Sequence, residues 1–267
     1  MVSITKILYR PLNKYPFSKI KSKINKLLPR KKCYICKNRF YNFTKYRKAS
    51  KFISGLNIIG SDMNNFGCPF CGATDRERHL FMFMDKMGIW DLLNKRTLHI
   101  SPERRLYNKI IELKPTKYTT GDIDPDRYSF CKGIEKIDLT NIQFESSSFD
   151  VVIANHVLEH IPDYKKAILE IFRVLDYDGF AILQTPYSEI IKRNFEDPNI
   201  SSNATLREKF YGEIDHYRIF GQQLYEELVS IGFKSVVKEH KEFFSDKDAF
   251  YYGVNKKEPF MLFNKIM

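Results

Sequence analysis

The chain has 267 residues, of which 43% are hydrophobic and 15% aromatic, so it can bury a sizeable core, and global disorder is excluded. No apolar run approaches the roughly 20 residues that span a bilayer, so the sequence predicts neither a transmembrane helix nor an ordinary signal peptide. The net charge of +12 is unevenly divided along the chain. The first 61 residues carry 16 Lys and Arg and no acidic residue, whereas the residues after them carry 28 basic and 32 acidic side chains, a net charge of −4. We therefore expect one main domain with a basic N-terminal appendage.

The first 32 residues hold ten of the positive charges, with Ile and Leu side chains interleaved among them. We predict that 1–32 is a basic tail that lies on an anionic membrane surface or binds phosphate groups. A solvated basic tail without a partner is the alternative. Prolines at positions 11, 16 and 29 exclude one continuous helix across it.

Four of the five cysteines form two C-x-x-C pairs, Cys33 with Cys36 and Cys68 with Cys71. Each pair can place two thiolates on one tetrahedral ion, and zinc is the ion that four thiolates select. We therefore predict a structural zinc site and a zinc-ribbon-like segment over 33–79. The alternative, a redox-active C-x-x-C, needs a thioredoxin-like βαβ context, which the surrounding sequence lacks.

The two cysteine pairs are separated by 31 residues, which exceeds the usual spacer of roughly 15 to 20 residues. This spacing predicts an extended hairpin that carries an insertion. Cys131 stands alone and is predicted to be an ordinary thiol. Because a thiolate metal site suits a reducing compartment, we predict a cytoplasmic protein, with peripheral attachment at the inner membrane surface left open.

From about residue 76 the sequence alternates between helix-like and strand-like segments. Strands that alternate with helices predict a parallel sheet covered by helices. The last two strands are predicted without a helix between them and are expected to pair antiparallel. The predicted elements are a helix over 76–93, a strand at 97–100, a helix over 102–113, strands at 118–120, 134–137 and 149–154, a helix over 163–175, a strand at 180–184, a helix over 221–231 and strands at 233–238 and 260–263.

Polar residues directly follow the first four predicted strands. In an open α/β sheet, ligands bind beyond the carboxyl ends of the strands, so these residues are expected to share one site. An acidic residue one strand over from the first loop can accept both hydroxyls of a ribose, which predicts a ligand that contains adenosine. The residues concerned are Ser101, Pro102 and Glu103 after the first strand, Asp122 and Asp124 after the second, Asp138 and Leu139 after the third, and Asn155 and His156 after the fourth.

The stretch 138–184 resembles the class I S-adenosylmethionine-dependent methyltransferases. It contains Phe-Asp-Val-Val at 149–152, then Leu-Glu-His at 158–160, a predicted helix and Arg-Val-Leu-Asp-Tyr-Asp-Gly. The resemblance covers roughly residues 95–265 and implies an α/β, Rossmann-like domain over 80–267, whose seven-stranded sheet has its last strand antiparallel. It also implies S-adenosyl-L-methionine as the cofactor.

The resemblance further implies roles for the residues at the strand ends. Asp122 would hold the ribose, and Asp138 and Leu139 would contact the adenine. Asn155 and His156 would flank the methionine end of the cofactor and the methyl group that is transferred.

The first loop departs from the family pattern, because it contains no glycine and reads Ile-Ser-Pro-Glu-Arg-Arg. Pro102 can open a helix at its first turn and Ser101 can cap it, so that this loop, with Glu103, still offers a helix terminus for the methionine carboxylate. A relative that binds no cofactor is the alternative.

His156, Glu159 and His160 match the H-x-x-E-H motif of a class of zinc proteases. That motif needs a long helix to hold both histidines on one face, whereas here a predicted strand ends at Ala154 and Pro162 follows closely. We therefore interpret the match as accidental and predict a packed turn at the edge of the sheet.

The polar stretch 186–220 is long for a connection in this fold, and its aromatic and charged residues predict a lid. Asp215, His216 and Arg218 are the predicted substrate contacts, and a solvated loop is the alternative. If the acceptor is a hydroxyl, a base must take its proton, and His216 or His156 is the predicted catalytic residue. An amine acceptor needs no strong base.

Two acceptor classes remain at this stage. A small molecule or glycan, methylated on oxygen or nitrogen, is favoured because the domain around the site carries a charge of −4. RNA is the alternative, since some ribosomal RNA guanine methyltransferases resemble this layout in joining a zinc ribbon to the same fold. A catalytically silent binding protein is the third interpretation.

Overall fold

The computed structural model describes residues 30–46 and 51–266. The basic residues before Arg30 therefore lie outside the described residues. The strands, in chain order, are β1 (Lys31–Lys32), β2 (Arg39–Phe40), β3 (Ile58–Ile59), β4 (Arg96–Ile100), β5 (Lys117–Asp122), β6 (Glu135–Lys136), β7 (Phe149–Ala154), β8 (Leu175–Ile182), β9 (Tyr187–Ser188), β10 (Phe233–Ser235) and β11 (Leu262–Lys265).

Helices separate most of these strands. Two short 3-10 turns, Pro125–Arg127 and Leu158–His160, follow β5 and β7. The α-helices are α1 (Lys51–Gly55), α2 (Asp75–Lys86), α3 (Ile89–Leu92), α4 (Arg104–Glu112), α5 (Tyr164–Val174), α6 (Pro198–Ser201), α7 (Ala204–Tyr211), α8 (Gln223–Ile231), α9 (His240–Phe243) and α10 (Asp246–Tyr252).

Seven strands form one sheet in the order β10-β11-β8-β7-β4-β5-β6. The pairs from β8 to β6 are parallel, whereas β11 runs antiparallel to β8 and to β10. This confirms the predicted α/β architecture with its last strand antiparallel. The carboxyl ends of β4, β5, β6 and β7 lie at one edge of the sheet, as the site prediction requires.

The sheet is buried on both faces, as expected for a parallel sheet between helices. The side chains of β7 are apolar except at Asp150, which accepts hydrogen bonds from Arg96 at 2.7 and 3.0 Å. One hydrophobic core packs α5 and α8 against one face, and a second packs α2, α3 and α4 against the other.

Several predicted elements begin or end at other residues than expected, and two predictions differ from the structure in more than their ends. The helix predicted over 76–93 is interrupted at Gly88, whose φ of 65° separates α2 from α3. The last two strands are antiparallel as predicted, but α9 and α10 lie between them, contrary to the prediction. Both helices begin with a capping box, Glu239 with Glu242 and Ser245 with Asp248, and neither was predicted.

The N-terminal segment packs on the main domain through the buried side chain of Arg78 in α2. Its guanidinium lies 3.8 Å from the ring centroid of Phe43. Helix α2 crosses the boundary expected between residues 79 and 80, so the two segments share one helix. Arg78 also donates five hydrogen bonds, to the backbone carbonyls of Asn65, Phe66 and Ala73 near the second cysteine pair and of Tyr252 and Gly253 at the end of α10.

The long spacer between the cysteine pairs packs against the segment predicted as a lid. Strand β3 of the spacer pairs antiparallel with β9, and the ring of Phe52 contacts that of Phe210 at a centroid distance of 5.1 Å. The segment 186–220 therefore carries a short strand and two helices, and contacts between distant parts of the chain hold it in place.

The predicted tail boundary at residue 32 also needs adjustment. Lys31 and Lys32 form β1, and the buried Lys31 ammonium donates a hydrogen bond to the carbonyl of Phe250 at 2.7 Å. These two residues therefore belong to the folded N-terminal segment. No helix in the described part of the chain is long and apolar enough to cross a membrane.

Candidate active site and metal centre

The four paired cysteines converge, with their sulfur atoms within 4.8 Å of one another. The Cys33 and Cys71 sulfurs are 3.8 Å apart, and those of Cys36 and Cys68 are 3.7 Å apart. Four sulfurs placed tetrahedrally at the Zn–S bond length of about 2.3 Å would lie about 3.8 Å apart. The cluster therefore fits the predicted structural zinc ion without rearrangement.

Helix α2 begins directly after the second cysteine pair. The Thr74 side chain caps its first turn, and Glu77 completes a capping box. The Glu77 carboxylate also accepts hydrogen bonds from Arg105 of α4 at 3.1 Å. The cysteine cluster thus connects to the helix that follows the first loop of the sheet.

The glycine-free first loop turns at Ser101, whose φ is 49°. This left-handed backbone conformation is the one that glycine usually supplies. Because of the turn, the helix begins only at Arg104, with Glu103 as its N-cap residue and no side-chain cap. The prediction that Ser101 caps the helix and Pro102 opens it was therefore wrong. The Ser101 hydroxyl instead donates a hydrogen bond to Asp122 at 2.5 Å.

Asp122 ends β5 and is only 4% exposed. Besides the Ser101 hydroxyl, its carboxylate accepts hydrogen bonds from the Tyr128 hydroxyl at 2.7 Å and from the backbone N–H of Asp124 at 2.8 Å. Two of these three donors are hydroxyls. A carboxylate that binds two hydroxyls here has the chemistry that a ribose diol requires, whereas Asp124 is exposed.

Glu103 connects the ends of β4 and β7. One carboxylate oxygen is 2.9 Å from His99 Nε2, and the other accepts a hydrogen bond from the Asn155 amide at 3.2 Å. The structure thus brings together two predicted cofactor residues, Glu103 and Asn155, through a direct contact. Glu103 is also the N-cap residue of α4 and makes no side-chain cap hydrogen bond, so its side chain is not used to cap the first amides of that helix.

Asp138 and Leu139 follow β6 at the same edge of the sheet. Asp138 is exposed, and one of its carboxylate oxygens accepts hydrogen bonds from the N–H and hydroxyl of Thr140, both at 2.8 Å. Leu139 is buried in the core on the α5 side of the sheet. Of the two, Asp138 has the more accessible side chain.

The loop after β7 forms a 3-10 turn rather than a long helix. His156 has a φ of 54°, and its Nδ1 lies 3.8 Å from a carboxylate oxygen of Glu159. The zinc-protease interpretation is therefore excluded, as expected. The His160 ring instead packs edge-on against His216, with centroids 4.7 Å apart.

Burial keeps both predicted catalytic histidines neutral at pH 7. It lowers the pKa of His156 well below its usual range. Burial, assisted by the neighbouring His160, lowers the pKa of His216 to about 4. A neutral imidazole can accept a proton, so each ring is in the form that a base requires.

Of the six buried polar residues in and around the loop after β7, only His156 was among the predicted site residues. Six residues each have a buried side-chain polar atom without a hydrogen-bond partner among the described residues, and we call them the polar cluster. Burial raises the pKa of Asp75 and of Glu258 to about 8, so both carboxyls favour their neutral forms. The polar cluster comprises Asp75, Arg76, His79, His156, Glu159 and Glu258.

Arg76 is the central cation of the polar cluster. Its charge acts on the pKa values of Asp75, His156, Glu159 and Glu258, which come from separate parts of the chain. A run of charged residues directly after a cysteine pair, as at 75–79, was the only sequence signal for these positions.

Arg218, a predicted substrate contact, is only 3% exposed. Its guanidinium donates hydrogen bonds to the backbone carbonyls of Leu158, Ile161 and Pro162, and to the carboxylate of Glu196. The substrate role predicted for Arg218 was therefore wrong. The residue instead anchors the segment 186–220 to the loop after β7.

Residues 110–183 match a protein family described as a methyltransferase domain. No curated protein matches the sequence. Among solved structures, the chain is similar to a 1,6-didemethyltoxoflavin-N1-methyltransferase from Burkholderia thailandensis, with 15% identity, 72% of this chain and 79% of that chain covered, and a TM-score of 0.46. It is also similar to a SAM-dependent methyltransferase from Archaeoglobus fulgidus, with 15% identity, 60% and 77% coverage, and a TM-score of 0.40.

The family match over residues 110–183 indicates an enzyme that transfers a methyl group. The order of the seven strands, with the last strand antiparallel, is the one that the sequence resemblance to the class I S-adenosylmethionine-dependent methyltransferases implies. A four-cysteine cluster that is compatible with a structural zinc ion precedes this sheet.

Proposed function

We propose that this methyltransferase acts on a small hydroxylated molecule, such as a glycan. The polar cluster is the observation that carries the proposal. Each unpaired buried polar atom costs about 1–3 kcal/mol unless something binds it. His79 Nδ1 and Glu258 Oε2 face each other at 3.7 Å, whereas the other four atoms have no hydrogen-bond partner among the described residues and favour a polar ligand. The cluster offers donors on Arg76 and acceptors on Glu159, and a hydroxyl group both donates and accepts.

The cover over the polar cluster also supports a small acceptor. The backbone N–H of Tyr217 donates a hydrogen bond to the carbonyl of Glu159 at 2.8 Å, and Arg218 anchors the same segment at several points. A segment held this way stays close to the loop after β7, which favours a small acceptor over a large one. RNA remains the alternative acceptor, and the acidic balance after residue 61 weighs against it.

For the cofactor we propose the arrangement that the strand ends support. Asp122 accepts the ribose hydroxyls in place of Ser101 and Tyr128, and Asp138, with Leu139, lies on the adenine side. Glu103 and the start of α4 face the ammonium and carboxylate of the methionine, because a carboxylate and a helix N-terminus are suited to those two charges. Asn155 and His156 then adjoin the methyl group.

The bound cofactor supplies a methyl group on a sulfonium, which needs little activation. The chain's own residues therefore act mainly by position. Arg76 and the carboxyls around it hold the acceptor, and His156 or His216 takes the proton of the acceptor hydroxyl, because burial keeps both rings neutral.

Replacing Arg76 with Gln tests the acceptor site. We expect kcat/KM for the acceptor to fall about 10- to 100-fold, as for a lost hydrogen bond to a charged group, while the affinity for S-adenosylmethionine is unchanged. In the assay, the enzyme receives methyl-labelled cofactor and either a fraction of glycans and small molecules or total RNA. Calorimetric titration with S-adenosylmethionine measures the affinity for the cofactor separately. Arg39→Gln, an exposed arginine in β2, is the matched control.

Label that enters RNA and not the small-molecule fraction would overturn the proposed acceptor class. Equal rates for Arg76→Gln and Arg39→Gln would show that the polar cluster does not contact the acceptor.

We also propose that the basic tail attaches the enzyme to an anionic membrane surface, because Ile and Leu alternate with its Lys residues. Deleting residues 1–29, and not 1–32, leaves Lys31 and β1 intact. The full chain is expected to sediment with vesicles rich in anionic phospholipid, and the shortened chain is not. Filter binding to RNA across a salt series is run in parallel, and steep, salt-sensitive RNA binding without vesicle association would refute the proposal.

A further inference from the structure

A second group of metal-ligating side chains lies outside the cysteine cluster. Glu159 and His160 from the turn after β7 and His216 from the segment 186–220 bring one ligand atom each within 4.8 Å of one another. We propose that these three residues bind one divalent transition-metal ion, in addition to the structural zinc. Two atoms that share an ion with bonds of 2.0–2.2 Å lie at most about 4.4 Å apart, so three ligand atoms within 4.8 Å of one another need at most a small shift to bind one ion.

The hydrogen bonds of both histidines favour this role. His160 Nδ1 is 3.3 Å from the backbone carbonyl of Asp215 and 3.4 Å from its carboxylate, and His216 Nδ1 is 3.2 Å from the carbonyl of Tyr211. Because a carbonyl oxygen only accepts, Nδ1 of each ring donates and Nε2 carries the lone pair. Histidines that bind metal ions nearly always have their other nitrogen held in this way.

Glu159 supplies the second observation that points to a ligand. The residue is 1% exposed, and its Oε2 has no hydrogen-bond partner among the described residues. A buried carboxylate oxygen without a partner is costly, and a bound cation satisfies it. The Asp215 carboxylate beside His160 adds a second negative charge, which offsets the positive charge of Arg76 nearby.

Two imidazoles and one carboxylate select a particular class of ion. Such a set suits Zn²⁺, Fe²⁺, Co²⁺ or Mn²⁺, whereas Mg²⁺ and Ca²⁺ prefer oxygen ligands. Three protein ligands also leave coordination positions open for other oxygen atoms. The binding of the ion does not depend on the proposed acceptor. Its role rests on the proposed function, in which those positions take oxygens of the acceptor while His156 is left to accept the proton.

Metal binding can be measured without any acceptor. The protein is purified with zinc in the cysteine cluster, dialysed against a weak chelator and titrated with Co²⁺. We expect the wild type to bind one further ion per chain, with cobalt absorption that lacks the thiolate charge-transfer band of a cysteine site. Glu159→Gln and His160→Gln should lose this ion and keep the zinc, and the exposed Glu145→Gln is the matched control.

Asp215→Asn keeps the proposal testable if Glu159→Gln or His160→Gln fails to fold. Its side chain is largely exposed, and it contacts His160 rather than the ion, so it is a positioning residue. We expect its affinity for Co²⁺ to fall about 10- to 100-fold. A wild type that binds no ion beyond the zinc, or Glu159→Gln and His160→Gln proteins that bind as much Co²⁺ as the wild type, would overturn the proposal and leave the proposed acceptor class untouched.

Discussion

A double substitution, Cys68→Ser with Cys71→Ser, is expected to remove about one zinc ion per chain and to abolish methyl transfer. The cysteine segment has only a small core of its own, built around Cys33, Phe40 and Phe43. Binding of a structural zinc contributes on the order of 10 kcal/mol or more to such segments, so its loss should unfold this part of the chain.

The effect should reach the active site through α2. That helix begins directly after the second cysteine pair and carries Asp75, Arg76 and His79 into the polar cluster. Arg78 in the same helix makes its hydrogen bonds partly to Asn65, Phe66 and Ala73, which surround the second cysteine pair. Without zinc, the start of α2 loses the structure that positions it.

Metal analysis, thermal unfolding and a methyl-transfer assay measure this result, with Cys131→Ser as the control. Cys131 lies outside the cluster, where its sulfur contacts the Thr120 hydroxyl at 3.1 Å. An equal zinc content in the double variant and the wild type would contradict the assignment. Full activity in a zinc-free protein would show that α2 does not depend on the metal.

Asp122→Ala should weaken the binding of S-adenosylmethionine by about 1–3 kcal/mol, because its removal leaves both ribose hydroxyls without their acceptor. This corresponds to a loss in affinity of about 5- to 150-fold. Asp124→Ala should have a much smaller effect, since Asp124 is exposed and only its backbone N–H contacts Asp122. Titration calorimetry on both variants makes the comparison.

The substitution also removes the acceptor of the Ser101 and Tyr128 hydroxyls, so stability must be measured beside affinity. Asp122→Asn keeps the shape and one acceptor oxygen and should lie between the wild type and Asp122→Ala in both measurements. If Asp124→Ala caused the greater loss of cofactor affinity, the ribose carboxylate would be Asp124 and not Asp122.

The sequence by itself determined the class of fold and pointed to two local sites, the four-cysteine metal site and the carboxylate of Asp122. The hydrophobic pattern of 149–154 and the helix at 163–175 depend on neighbouring residues, so they can be recognised before any tertiary contact is known. The same holds for the cysteine pairs, because each C-x-x-C by itself supplies two ligands to one ion. Asp122 was recognisable because it is an acidic residue just beyond the end of the strand predicted at 118–120.

Only the tertiary structure decided how distant residues meet. Arg76, Glu159 and Glu258 belong to separate segments, and no periodic pattern relates them, so their convergence in the polar cluster depends on how α2 packs over the sheet. Arginine is a residue type that often binds substrates, which is why Arg218 was predicted to do so. The fold instead places its guanidinium beside three backbone carbonyls, which accept its hydrogen bonds. Ser101 could replace the missing glycine because the packing around the first loop stabilises a backbone conformation that its own preferences disfavour.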